Sequence, residues 1–310
     1  MSFTREELHT RTIGVLLGGL SEEREVSQRT GAAVVGALKS LGYEVLAIDA
    51  GTEVAAELRA KNIHVVFNAL HGRWGEDGCI QGLLEYLRIP YAGSGVLASA
   101  AGMDKVFSKR LFMSQGIDTP DYALLPAGKP ASTSMLPFGL PCVVKPSGEG
   151  SSVGVSIVHA ESELGPASEL ARRYKGDVIV ERYVKGRELA CAVLGDRALG
   201  CIEIRPAGEF YDYDAKYNSK TTQYLYPAPL EENVYQAVLD LSLRAHKALG
   251  CDGATRADLI VDAGGRPWML EVNTLPGMTA TSLIPKIAAG AGIDFPQLCE
   301  ALVMGASLKA

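Results

Sequence analysis

The sequence predicts an α/β protein: a parallel sheet with crossover helices at the amino-terminal end, followed by two smaller α+β units. Three observations carry this expectation. The first ninety residues alternate short apolar strand patterns with helical ones, the order that builds a parallel sheet. Two alternating strand pairs in the second half surround Gly195-Asp196 and Gly264-Gly265, both good two-residue hairpin turns. Hydrophobic residues make up 47% of the 310, enough to fill two or three compact cores.

In the first part the strand patterns are "TIGVLLGG", "YEVLAID" and "IHVVFNAL", and helices are expected over 21–41, 52–61 and from about 77. Parallel sheets bind ligands at the carboxyl ends of their strands, so the residues there are candidates. After the first strand comes "GGLSEEREVS", where Ser21 suits the N-cap and Glu22 and Glu23 suit the first helical turn. After the third comes "HGRWGEDG", whose glycines let the chain bend sharply and bring His71 to the same rim as a helix amino terminus. "PYAGSG" marks a boundary near 95, helical patterns cover 96–116, and "MDK" places Lys105 at a helix terminus.

The proline- and serine-rich stretch 126–141 reads as a loop. It precedes "KPSGEGSSVG" at 145–154, where Lys145 closes an apolar strand and a glycine- and serine-rich turn leads into a second strand over 153–158. This is neither a P-loop, whose lysine follows the glycines, nor a dinucleotide fingerprint, whose spacing differs by one residue. It is a hairpin-like flap. Free backbone N–H groups and the lysine point charge suit phosphate oxygens; taken alone, the segment suits a solvated surface turn equally well. A helix over about 161–174 and the strand "DVIVERYV" complete the unit.

In the last part, the aromatic-rich run "PAGEFYDYDAKYNSKTTQYLYPAP" shows no periodicity and reads as a lid, before a helix from about 231. The hairpin "TRADLIVDAGGRPWMLEVN" is the most informative segment. A two-residue turn at Gly264-Gly265 sets Asp258 opposite Glu271 and Arg256 opposite Asn273, all on one face. Ala257, Leu259 and Val261 then share the other face with Trp268, Leu270 and Val272. Like charges directly opposed across strands repel. A hard divalent cation relieves that repulsion better than solvent on an exposed acidic ribbon, and Asn273 offers a further oxygen.

Net charge is -6, and no basic block interleaves with aromatics, which argues against nucleic acid. No apolar run reaches a membrane span and "MSFTREELHT" lacks a hydrophobic signal core, so a cytoplasmic protein without membrane partners is expected. The six cysteines show no C-x-x-C spacing and the five histidines no H-E-x-x-H pair, so neither disulfides nor a zinc site is expected.

"GGLSEEREVS", "LHGRWGEDG", "YAGSG", "MDK", "VVKPSGEGSSVG", "YDYDAKY", "TRADLIV" and "LEVNTLPGMT" occur in this order between residues 18 and 280. Together they resemble the D-alanine:D-alanine ligase family of the ATP-grasp superfamily. The flap and the acidic hairpin are general to the superfamily; the first two pieces and "YDYDAKY" discriminate within it. The resemblance implies an ATP-grasp fold with an amino-terminal substrate domain over 1–95, a central subdomain over 96–185 and a carboxy-terminal subdomain over 186–310. It implies ATP-dependent joining of two D-alanine molecules through an acyl phosphate, releasing ADP and phosphate, for peptidoglycan precursor synthesis.

Carried over by motif, the resemblance further implies nucleotide contacts from Lys105, Lys145, Glu181, Val184, Glu188 and Lys216. Asp258, Glu271 and Asn273 would hold two Mg²⁺ ions, for which Mn²⁺ can substitute. Glu23 and His71 would bind the first D-alanine, and Lys216, Ser282 and Leu283 the second. Glu23, Ser151 and Tyr217 would link flap, lid and substrate, while Arg256 and a backbone N–H at Gly277 would donate to the tetrahedral oxyanion. A homodimer is expected from the resemblance alone. "GATRAD" departs from the family's commoner glycine–arginine–isoleucine arrangement, and Trp74 stands where a small residue is usual.

The rival readings are an ATP-grasp ligase with another amine or D-lactate as acceptor, and a nucleotide-binding regulatory module. The missing dinucleotide fingerprint weighs against a hydride-transfer enzyme. Family members that form the D-lactate ester carry phenylalanine at the position of Tyr217. Tyr217→Phe is therefore expected to raise the use of D-lactate relative to D-alanine in a competition assay; an unaltered preference contradicts that role.

Overall fold

The computed structural model describes residues 3–150, 153–174, 176–205, 222–279 and 282–309. Helix α1 (Arg5–His9) leads into β1 (Thr12–Leu17), α2 (Arg24–Ser40), β2 (Glu44–Asp49), α3 (Val54–Ala60), β3 (Val65–Asn68) and α4 (Cys79–Leu87). The three strands pair in parallel in the order β2-β1-β3, as the strand–helix alternation predicts. β1 and β3 are buried along almost their whole length because helices cover both faces. On α2, Ser27, Thr30, Gly31, Val34, Ala37 and Leu38 are buried, a three-and-four spacing that marks one helix face.

Two boundaries differ from expectation. Helix α2 begins at Arg24 with Glu23 at the N-cap position; Ser21 does not cap it but donates to the His71 carbonyl at 2.7 Å. The helical pattern over 96–116 splits into α5 (Val96–Met103) and α6 (Lys105–Ser114). Asp104 makes the break, because its carboxylate accepts the Val106 and Phe107 N–H groups and starts a new helix.

The central sheet contains β4 (Tyr122–Leu125), β5 (Cys142–Pro146), β6 (Ser156–Val158) and β7 (Val178–Arg182), ordered β4-β7-β5-β6, with α7 (Glu161–Ala171) against it. β5 and β6 form the expected hairpin around the flap, although β6 starts three residues later than the pattern suggests. The carboxy-terminal sheet contains β8 (Gly186–Leu194), β9 (Arg197–Arg205), β10 (Gln223–Leu225), β11 (Ala254–Asp262) and β12 (Pro267–Asn273), ordered β10-β9-β8-β11-β12. The β8–β9 turn is the two-residue one expected, with Gly195 at φ +56°. Of the segment read as a lid, 206–221 lies outside the described residues, while β10 pairs with β9 instead of remaining structureless.

Helix α8 (Glu232–Ala248) covers one face of this sheet with Phe112 of α6 beside it. α9 (Leu283–Gly290) and α10 (Phe295–Met304) share a core with β1, β3 and α2 as well as with β8 and β9. Through these two helices the carboxy-terminal sheet is bolted to the amino-terminal one. A buried carboxylate reinforces the joint: Glu300 of α10 accepts from Tyr43 Oη at 2.6 Å and from Arg5 Nη2 at 2.5 Å.

Burial raises the Glu300 pKa, but the bonds from Tyr43 and Arg5 outweigh it and hold the carboxyl below the usual glutamate value. A depressed folded pKa means that this contribution is full above the unfolded pKa and disappears as pH falls through the folded one. Glu300→Gln should lose about 1–3 kcal/mol of unfolding free energy at neutral pH. The gap from the parent should close on acidification; a gap independent of pH in denaturant titrations contradicts the assignment.

Candidate functional site

The β11–β12 ribbon places four of the predicted residues, by a route the sequence reading did not foresee. Asp258 pairs with Glu271, and Arg256 with Asn273, as expected. The connection is nevertheless three residues long, 263–265: Asp262 N–H donates to the Arg266 carbonyl, and Gly265 adopts φ +82°. Such a turn alone would shift the register. A bulge between Asp258/Leu259 and the facing Glu271/Met269 takes up the difference, with Leu270 as the extra residue. The facing surfaces change accordingly. Met269 and Val272 pack with Ala257, Leu259 and Val261, whereas Leu270 joins Ile260 and Glu271 on the side of a large cavity. Trp268 leaves the expected apolar face and lies between the guanidinium groups of Arg182 and Arg266, at 4.6 and 4.3 Å from its ring centroid.

This cavity, of about 430 Å³, opens between the central and carboxy-terminal sheets. Its walls include Lys105, Lys145, Glu181, Val184, Glu188, Asp258 and Glu271, which is seven of the predicted nucleotide and metal residues. Each carboxylate of the hairpin has its own cation. Arg256 donates through Nε and Nη2 to the two Asp258 oxygens, both at 2.8 Å, and Lys105 Nζ lies 3.1 Å from Glu271 Oε2. These cations supply the compensation that sequence reasoning assigned to a metal. Lys105 also donates to the Glu149 carbonyl of the flap at 2.6 Å, so one ammonium ties flap to hairpin.

Asp258, Glu271 and Asn273 present hard oxygen donors on one face, and the Leu275 N–H fixes the Asn273 amide by donating to Oδ1 at 2.9 Å. Among the described residues, no group of three or more His, Cys, Asp or Glu side chains could hold a metal. Two carboxylates and an amide are hard oxygen donors of the kind that would suit magnesium.

At the floor of the cavity sits a cluster only partly anticipated. Glu181 Oε1 lies 2.9 Å from Lys145 Nζ and 3.1 Å from the Nζ of Lys109, a residue the sequence reading passed over. Burial raises the Glu181 pKa, yet the two ammonium groups prevail and hold it below the usual value. Burial likewise pushes the Lys109 pKa down to about 8, against the pull of Glu181. The available signal was helical spacing: Lys105, Lys109 and Phe112 fall on the buried face of α6.

A second, much smaller cavity lies at the carboxyl ends of β1 and β3, lined by Thr30, Asn68, His71 and the chain from Thr274 to Met278. Both His71 ring nitrogens are engaged, Nε2 with Thr30 Oγ1 at 3.0 Å and Nδ1 with Glu76 Oε1 at 3.3 Å. Neither partner was singled out from the sequence. Gly72, at φ +67°, lets Glu23 approach: a methyl group built there would lie 2.6 Å from Glu23 Oε2. One built on Gly277 would meet Ser282 Oγ at 3.0 Å and His71 Cε1 at 3.9 Å. Glu23, His71, Gly277 and Ser282 are thus brought close to one another. Ser282 Oγ accepts from the Thr279 N–H at 3.1 Å and lies 2.8 Å from the Thr279 hydroxyl. The Leu283 side chain packs into the core, which leaves its backbone N–H at the start of α9 as the group that can face a ligand. Trp74 is half exposed, with φ at +70°. Ser151, Lys216 and Tyr217 lie outside the described residues.

A family model described as D-ala D-ala ligase C-terminus matches residues 111–304, and one described as D-ala D-ala ligase N-terminus matches 49–94. A D-alanine–D-alanine ligase of Anaeromyxobacter dehalogenans (strain 2CP-C) is 59% identical over 302 residues, covering 97% of this chain and 98% of the relative. One from Trichlorobacter lovleyi is 51% identical over 99% of this chain and 98% of its own. Among solved structures, the D-alanine–D-alanine ligase from Bacillus anthracis complexed with ATP superimposes with a TM-score of 0.83 at 36% identity, covering 95% of this chain and 97% of that one.

Proposed function

The chain belongs to the D-alanine–D-alanine ligase family, and on that premise we propose that the two cavities form one active site, the larger for nucleotide and the smaller for the first amino acid. The activity is ATP-dependent ligation of two D-alanine molecules, a step in peptidoglycan synthesis. The observation that carries the site assignment is the Asp258–Glu271 pair, set face to face in the wall of the nucleotide cavity with Lys105 reaching from the hairpin to the flap.

In this reading Lys105 and Lys145 receive the phosphates, the segment 181–184 meets adenine and Glu188 the ribose. Asp258, Glu271 and Asn273 hold magnesium, which when bound neutralises phosphate charge and orients the γ-phosphoryl group. Glu23 pairs with the ammonium of the first D-alanine, and His71, fixed by Thr30 and Glu76, borders its carboxylate. A carboxylate oxygen attacks the γ-phosphorus, the bond to the β-phosphate oxygen breaks, and ADP departs from an acyl phosphate. The second D-alanine sits at the amino terminus of α9, its carboxylate meeting Ser282 and the Leu283 N–H, an arrangement favoured by the helix dipole. Its amine attacks the acyl carbon, phosphate leaves, and the new amide nitrogen gives up a proton.

Asp258 occupies Nε and one face of Nη2 of Arg256, so donation to the tetrahedral oxyanion falls to the remaining hydrogens of the guanidinium, with the Gly277 N–H opposite. Ser151, Lys216 and Tyr217 keep the flap and lid roles that the family resemblance implies. The sheet β2-β1-β3 corresponds to a substrate domain, and the other two sheets to the halves of the nucleotide grasp. Among the described residues no single helix is long and apolar enough to cross a membrane, in keeping with a cytoplasmic location. The state we propose is a homodimer.

The test is phosphate release from ATP with D-alanine against L-alanine. Release with D-alanine only, and a loss of about 10²–10³-fold in Glu271→Gln that retains the parent's circular dichroism, supports the assignment. A Glu271→Gln variant with the parent's rate at limiting Mg²⁺ contradicts the metal role.

A further inference from the structure

We propose that Lys109 is a positioning residue for the nucleotide: it shares Glu181 with Lys145 and couples the cavity floor to the bulge that presents Glu271. This deepens the site reading above and rests on it. The Lys109 side chain is fully buried, a placement an ammonium tolerates only when its hydrogens are matched. Two hydrogen-bond acceptors and one ion-pair partner meet it. Nζ lies 2.5 Å from Thr119 Oγ1, 3.2 Å from the Pro120 carbonyl and 3.1 Å from Glu181 Oε1. Thr119 passes the connection on, since its hydroxyl donates to the Met269 carbonyl at 2.8 Å while the Met269 N–H donates to the Asp118 carbonyl at 2.7 Å. Met269 immediately precedes the bulge residue Leu270 and stands two residues before Glu271. The chain of contacts therefore runs from β7 through α6 and the segment 118–120 to β12, behind the cavity.

Two consequences follow from the charges. Glu181 faces two ammonium groups through one oxygen, so neither lysine is wholly neutralised, and Lys145 keeps charge for a phosphate or purine acceptor. Without the Lys109 charge, Glu181 would pair with Lys145 alone and draw it to the floor. The Thr119 link would also lose its donor, loosening the Met269 edge that fixes the bulge. The groups facing Lys109 are Glu181 from β7 and Lys145 from β5, with Asp121 at longer range ahead of β4 and the Tyr122 ring 5.8 Å away.

The experiment compares the parent, Lys109→Met and Thr119→Val by steady-state kinetics in both substrates and by calorimetric titration with magnesium ATP. Lys109→Met should raise the KM for ATP at least about tenfold, with the KM for D-alanine unchanged within about twofold; Thr119→Val should move the same way by about threefold or more. In the parent, the KM for ATP should climb above pH 8, where Lys109 loses its proton, and that climb should be missing from Lys109→Met. A folded Lys109→Met with the parent's ATP affinity overturns the proposal, as does a parallel rise in both KM values, which marks general loosening. If Lys109→Met does not fold, a flat alkaline profile in the parent together with unchanged ATP affinity in Thr119→Val overturns it equally. A parent that fails to bind magnesium ATP, or is indifferent to Glu271→Gln, would instead sink the site reading on which this one stands.

Discussion

One extra residue in β12 decides where Glu271 points. Side chains alternate along a strand, so a register slip of one residue exchanges the two faces. Without the bulge at Leu270, the three-residue turn would carry Glu271 to the side where Met269 and Val272 meet Leu259 and Ala257. A carboxylate buried there without a partner would cost several kcal/mol, and the cavity would lose half of its acidic pair. The bulge satisfies both constraints: core residues stay in the core on either side of it, and Leu270 and Glu271 are adjacent on the cavity side. Its position is held from outside the ribbon, where Asp118 and Thr119 occupy the Met269 N–H and carbonyl as a short further edge.

The electrostatics of the cavity follow from that geometry. Three buried or half-buried carboxylates are each met by at least one cation: Glu181 and Glu271 by lysines from other elements, and Asp258 by Arg256 two residues away on its own strand. In these pairs Lys105, Lys109, Lys145 and Arg256 meet the three acids, and further charges of both signs, among them Glu188, Glu203 and Arg187, line the same cavity. A polyphosphate would bring several negative charges into such a site, and a divalent ion, if held by Asp258 and Glu271 as proposed above, would bring compensating positive ones. The charges of these pairs are thus already compensated before a ligand arrives, which limits the reorganisation needed on binding.

What the sequence discloses and what it hides divides along a physical line. Features set by local chemistry were legible. Alternating strands and helices gave the parallel sheet, Gly195-Asp196 gave the β8–β9 turn, and the identity of the residues opposite Asp258 and Arg256 was correct. The bulge was not legible, because Met269 and Leu270 are equally apolar and only packing against Asp118 and Thr119 decides which of them faces the core. Lys109 was missed because a lysine on a helix is ordinarily solvated, and its acceptors come from residues 119, 120 and 181, brought together only by tertiary structure. Thr30 and Glu76 escaped for the same reason. Strand β4, the brief β10 and helix α1 carry too few residues for a pattern to emerge.

The two cavities are joined by the chain itself. After Glu271 at the nucleotide wall, Asn273 turns the backbone through its bond to Leu275, and Thr274 to Met278 line the amino-terminal cavity. Six residues separate Glu271 from Gly277, a span of at most about 20 Å even fully extended. Their path is not fully extended, so the backbone at Glu271 and the backbone at Gly277, which borders His71, lie closer than that. The chain then enters α9, whose first turn would face the second substrate in the function proposed above, while its body packs on β8 and β9. In the function proposed above, a phosphoryl donor, its acceptor and the incoming amine would thereby be referred to one short stretch of backbone that follows the β11 pairing and leads to the packed helix α9. This makes their relative placement a property of the fold rather than of any one side chain, and it makes the edge at Met269, which sets the phase of that stretch, matter well beyond the residues it touches.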